Sequence, residues 1–168
     1  GQDGESSMSR IFGAPRQIGY VVEDLDAALD RWVRIGVGPF FRFDGLKANY
    51  FRVRGKDVPL NLNVALAFSG DMQIELIHQT DDSPTPYFDF HKRYGPGMHH
   101  LAYWTENYDA DTARFHDGDF KPVIEGEVPA SVGFVPDWLK PELSPYVSED
   151  EWPALLERAP LDLRANIS

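Results

Sequence analysis

Two stretches of the chain, 83 residues apart, carry nearly the same sequence, and this restricts the fold more than any other feature. The first runs from Gln17 to Trp32 (QIGYVVEDLDAALDRW) and the second from His100 to Phe115 (HLAYWTENYDADTARF). At that constant offset Tyr20 matches Tyr103, Glu23 matches Glu106, Asp26-Ala27 matches Asp109-Ala110, Arg31 matches Arg114, and Trp32 matches the aromatic Phe115. Each copy is a short β-prone apolar run, then a helix start, then an amphipathic helix. A duplicated strand–helix unit points to two half-structures that share one interior. The residue at the head of each copy, Gln17 or His100, has a side chain able to coordinate a metal.

A chain of 168 residues suits one domain or two small modules with length enough to bury a core. Its formal net charge of −11 argues against a nucleic-acid partner, whose footprint would be basic and clustered. With no cysteine, the sequence excludes disulfides, thiolate metal sites and a cysteine nucleophile. That fits a cytoplasmic protein. No apolar run approaches a membrane span, and the N-terminus lacks the regions of a signal peptide. The expected partner is a small molecule, not a nucleic acid or a membrane.

Along the first copy, Arg16–Val22 predicts a strand. Asp24 stands at an N-cap position, and Leu25, Ala28, Leu29, Trp32 and Val33 make an apolar helix face. Gly36-Val-Gly-Pro39 ends that helix. Strands are expected from Pro39–Phe43, over Asn49–Arg54 and over Leu62–Phe68. A turn at Ser69-Gly70-Asp71 leads into Met72–His78. Alternation along this last strand puts Met72, Ile74 and Leu76 on one face and Gln73, Glu75 and Ile77 on the other. The order is β-α-β-β-β with room for one extra strand. A polar linker follows, with a short helix near Tyr87–Tyr94 stopped by Gly95-Pro-Gly97. The second copy supplies a strand over His99–Thr105, a helix over Asn107–Phe115 and a strand over Phe120–Glu125. The strand that should then match Met72–His78 falls on Leu155–Leu161, whose Glu157, Arg158 and Pro160 do not suit it, so the second copy reads as incomplete.

Residues 14–134 resemble the vicinal oxygen chelate superfamily, which includes glyoxalase I, bleomycin-resistance proteins, extradiol dioxygenases and methylmalonyl-CoA epimerase. The last of these marks the branch that is most similar. The residues that carry the resemblance are Gln17-Ile-Gly-Tyr-Val-Val with Asp24-Leu-Asp-Ala-Ala, then Ile74-Glu-Leu-Ile, then Gly97-Met-His-His-Leu-Ala-Tyr. It implies an α+β fold of paired βαβββ modules, a curled mixed sheet around a cavity. The expected organisation is a flexible leader (1–13), a first module (14–80), a linker (81–97), a partial second module (98–134) and an atypical Pro-rich, partly helical tail (135–168). Within the tail, Pro136–Leu139 and Arg158–Arg164 faintly resemble a segment of bacterial RNA cytosine-5 methyltransferases. Those enzymes need a cysteine that this chain lacks, so no activity is carried over.

The resemblance also places Gln17, Glu75 and His100 at three metal-ligand positions. The usual histidine at the first position is Gln17 here, and the fourth ligand, normally a glutamate, has no counterpart. Two oxygen donors and an imidazole suit Mn, Co, Fe or Mg, with Ni and Zn also within the family's range. Alternation alone leaves open whether Glu75 faces solvent or interior; the resemblance implies the cavity, where Glu75 would also serve as catalytic base. His99 should point away from His100 on a regular strand. The implied activity is a divalent-metal-dependent lyase or isomerase acting on a small carbonyl or thioester substrate through an enediolate. The alternative is a metal-free small-molecule binding protein of the same fold. An unfinished second module would leave a sheet edge open, which predicts a homodimer.

Overall fold

The computed structural model describes residues 13–127; the leader up to residue 12 and the segment from residue 128, with the whole tail, lie outside the described residues. Eleven elements follow one another: β1 (Gln17–Val21), α1 (Leu25–Arg34), β2 (Phe41–Leu46), β3 (Tyr50–Val53), β4 (Lys56–Asp57), β5 (Leu62–Ser69), β6 (Met72–Gln79), α2 (Pro86–Tyr94), β7 (Gly97–Ala102), α3 (Tyr108–Asp117) and β8 (Ile124–Glu127). The fold is α+β. Five strands form the main sheet in the order β2-β5-β6-β1-β7, and a smaller sheet has the order β4-β3-β8. β1 runs parallel to β6 and antiparallel to β7. The first strands of the two copies are therefore direct neighbours.

The repeat is visible down to single hydrogen bonds. Asp24 caps α1 by accepting from Ala27 N at 2.9 Å, and Asn107, its counterpart, caps α3 by accepting from Ala110 N at 3.2 Å. Each cap satisfies a helix N–H that the first turn leaves without an intrahelical partner.

Both faces of the main sheet are buried. On one, α1 covers Ala65, Ile74 and Leu76 with Leu25 and Ala28, flanked by Ile18, Tyr20 and Trp32. Tyr20 meets Trp32 edge-on with centroids 5.1 Å apart, a packing role for an aromatic that the repeat had singled out. On the other face Val21, Leu62, Val64, Leu66 and Ile77 pack with Tyr87 of α2, joined by Phe43, Phe51, Phe90 and Ile124. The alternation read from Met72–His78 is the one observed: Ile74 and Leu76 lie under α1, and Ile77 lies opposite.

Several element bounds differ from expectation, and at β7, β8 and the end of β3 the cause is visible. β7 starts at Gly97 and stops at Ala102 because its partner sets its length, with Gln17 opposite Ala102 and Val21 opposite Gly97. β8 begins at Ile124, four residues late. Phe120 lies in the turn just past α3, its N donating to Phe115 O at 3.0 Å, and Tyr50–Val53 fixes the pairing from Ile124 onward. Arg54 is in the turn after β3 at φ 50, so it does not share a strand with Arg52, which is bonded to Asp57 at 3.0 Å.

Candidate functional site

The face of the main sheet opposite α1 changes character along its strands. At one end it is apolar, with Val21, Ile77 and Val64 side by side. Toward the other end the same rows carry Gln17 and Gln73 on neighbouring strands, then Gly19 and Glu75. All of the polar side chains there are buried: Gln17 is 2% exposed, Gln73 and Glu75 0%, His100 3%. Such groups remain inside only where they have partners.

The row through Glu75 brings them together. Glu75 on β6 is opposite Gly19 on β1, and Gly19 is opposite His100 on β7. Because the middle residue has no side chain, the imidazole lies across β1. A Cβ on Gly19 would fall 2.1 Å from His100 Cε1 and 2.4 Å from its Nε2, distances no real contact tolerates. His100 Nε2 thereby comes within 3.3 Å of Glu75 Oε2 and 3.3 Å of Gln17 Oε1. Gln17 Nε2 donates to Gln73 Oε1 at 2.6 Å, which turns the Gln17 amide so that its oxygen faces His100. The three residues singled out from the sequence thus meet at one point. Among the described residues, no three His, Cys, Asp or Glu side chains gather where they could hold an ion; this cluster has two of them plus an amide oxygen.

His99 departs from the sequence expectation. The pairing of β1 with β7 steps from Gly19–His100 to Tyr20–Met98, so His99 is the extra residue of a β-bulge. A bulge breaks strict alternation and re-aims its side chains. As a result the His99 and His100 rings touch, with centroids 5.3 Å apart and the two Nδ1 atoms 3.1 Å apart. His99 also packs against Tyr87 and Phe90 of α2 at 5.2 and 5.1 Å. Burial pushes its pKa down to about 4, and neighbouring His100 adds to the shift, while the Pro86 carbonyl and Glu75 act the other way. His99 is a neutral ring at neutral pH.

Sequence reasoning missed three members of this site: Gly19, Gln73 and His99. Gly19 carried a usable signal, since glycine inside a strand often marks a close approach. Gln73 shared the alternation face of Glu75. His99 gave none, because a bulge leaves no mark in the residue pattern.

The family model of the Glyoxalase/Bleomycin resistance protein/Dioxygenase superfamily matches residues 16–134. The chain belongs to that superfamily. Among solved structures it is similar to methylmalonyl-CoA epimerase from Mycobacterium tuberculosis, with 20% identity and a TM-score of 0.45 over 65% of this chain; the match spans 66% of that enzyme. A Streptomyces coelicolor methylmalonyl-CoA epimerase variant in complex with 2-nitronate-propionyl-CoA matches at 20% identity and TM-score 0.46, covering 66% of this chain and 72% of that one. A hypothetical protein from Bacillus halodurans matches at 17% and 0.45, covering 62% and 67%. No curated protein sequence matches the chain.

Proposed function

We infer that the protein is a divalent-metal-dependent isomerase or lyase acting on a small carbonyl or thioester compound, with Gln17, Glu75 and His100 as the ion's protein ligands. The observation that carries this reading is the convergence of three buried donors from three strands on one point. Their spacing also leaves room for an ion between them. A charge-assisted hydrogen bond between His100 and Glu75 would be about 2.7–2.9 Å long. Two ligands held about 2.1 Å from one ion lie roughly 3.0–3.4 Å apart, and both separations here are 3.3 Å. The donor set, two oxygens and one nitrogen, suits Mn, Co, Fe, Mg, Ni or Zn.

A bound ion would supply positive charge to the substrate's oxygens as negative charge develops on them. The chain's own residues supply the rest. Gln73 holds the Gln17 amide in register. Gly19 gives the His100 ring its place. Glu75, fully buried on this face, is the carboxylate positioned to take a proton from a carbon next to a carbonyl. We further propose a homodimer, because among the described residues β7 is an edge strand with no partner on its outer side.

The test is metal content by mass spectrometry on protein purified without an affinity metal column, together with Glu75→Ala and His100→Ala. Near-stoichiometric metal in the parent, lost in both variants, is the expected result. A metal-free parent that cannot be reloaded would sink the enzyme reading in favour of a metal-free binding protein. That second reading is supported by there being, among the described residues, no group of three His, Cys, Asp or Glu side chains placed to hold an ion. Saturable binding of an aromatic or amphiphilic compound by the stripped protein would then be the measurement to make.

A further inference from the structure

Gln73 is as deeply buried as Glu75, at 0% exposure, and lies two residues before it on the same face of β6. Gln17 flanks it on β1 and Phe68 on β5. Only one end of its amide is used. Oε1 accepts from Gln17 Nε2 at 2.6 Å, while Nε2 is buried with no hydrogen-bond partner among the described residues.

The direction of this amide follows from its neighbours. Gln17 presents Oε1 to His100, so its Nε2 faces Gln73. An amide nitrogen can only donate, and Gln73 must answer with its oxygen. The Gln73 nitrogen is then turned away from Gln17. Phe68, on the other flank, has no side-chain acceptor to offer it. A buried donor without an acceptor costs free energy that one new hydrogen bond recovers. What is wanted here is an oxygen, and Glu75 stands only about 7 Å further along the same strand face. A compound that meets the cluster with one oxygen can meet Gln73 with another.

We propose that Gln73 is a ligand-contact residue: its Nε2 donates to a second oxygen of the bound compound, a carbonyl or carboxylate beside the oxygen held at Gln17, Glu75 and His100. Gln73 thereby adds a requirement for an acceptor next to the reacting group. This rests on the reading that the polar face receives a small carbonyl compound, and not on the ion.

Pyruvate, whose keto group adjoins a carboxylate, is the probe. Titrated into isotope-labelled protein with and without Zn²⁺, it should shift the side-chain amide proton resonances of Gln73. Pyruvate that binds without moving them overturns the proposal before any variant is made, and so does pyruvate that binds neither form. Gln73→Met removes the donor without adding charge. Gln73→Glu removes the donor but keeps an oxygen for Gln17 Nε2. Each should weaken pyruvate binding, measured by calorimetry, by about tenfold. A loss in Gln73→Met alone would mean that Gln73 acts by supporting Gln17, and a loss in Gln73→Glu alone that only charge matters; either overturns the contact. The expected shift and losses in a protein that takes up no Zn²⁺ support the contact and overturn the metal reading instead.

Discussion

At Gly19 the backbone of β1 passes beneath His100 so closely that the imidazole occupies the space a side chain would need, its Cε1 2.1 Å from the Cβ position. Gly19→Ala therefore cannot keep the ring where it is. The strand itself should tolerate the change, because alanine fits β geometry and loses less chain entropy on folding than glycine. The expected outcome is a protein that folds with near-parent circular dichroism but binds Co²⁺ at least about tenfold more weakly, a loss typical of disturbed ligand support. Parent-like affinity would mean that His100 does not need its place over β1 to act. Sequence pattern reached Gln17, Glu75 and His100 because the repeat aligned two of them and the resemblance supplied the third. It did not reach the geometry between them, which depends on one absent methyl and one inserted residue.

Among the elements, α2 carries Tyr87 and Phe90 to His99, and the loop before it sets its position. Asp81 gathers that loop. Its carboxylate accepts from Ser83 Oγ at 2.6 Å, Asn61 Nδ2 at 2.6 Å, Ser83 N at 3.2 Å and Gln79 Nε2 at 3.3 Å. Thr85 then bonds Gln79 and caps α2 by accepting from Phe88 N at 3.2 Å. The Ser83 hydroxyl is the largest influence holding the Asp81 carboxyl below its ordinary pKa of 3.8, with Asn61, the Ser83 backbone and Gln79 helping against the cost of desolvation. A carboxyl whose pKa is lower when folded adds stability above its unfolded pKa, and that stability is lost as pH falls through the folded value. Asp81→Ala should therefore be less stable than the parent at pH near 7, with the gap closing below about pH 4 in denaturant titrations. A gap of equal size at both pH values would show that the loop does not depend on the charge. The loop was legible as a loop from its Asp, Ser, Thr and Pro content. Its role was not, since side-chain partners distant in sequence, such as Asn61 and Asp81, leave no periodic signal.

For the whole molecule, the repeat proved the more reliable guide where both copies are described. β1 and β7 lie side by side, α1 and α3 share their capping, and β8 begins 83 residues after β2. Yet β8 pairs with β3 and not with the main sheet, so the two halves are joined twice, once at each sheet. The asymmetry leaves β7 at an edge. Along it Met98 is 57% and Leu101 39% exposed, apolar side chains beside an unpaired row of backbone groups among the described residues. Open apolar edges invite pairing unless something covers or charges them. A second copy of the chain can supply a matching β7, and two such strands meeting antiparallel would extend the main sheet across a two-fold axis. Light scattering at micromolar concentration should then report twice the 19.0 kDa of one chain. Met98→Lys places a charge on that exposed edge and should shift the mass toward the monomer while Co²⁺ binding persists. A parent of 19.0 kDa would exclude the pairing. A Met98→Lys dimer as stable as the parent's would place the contact elsewhere on the surface.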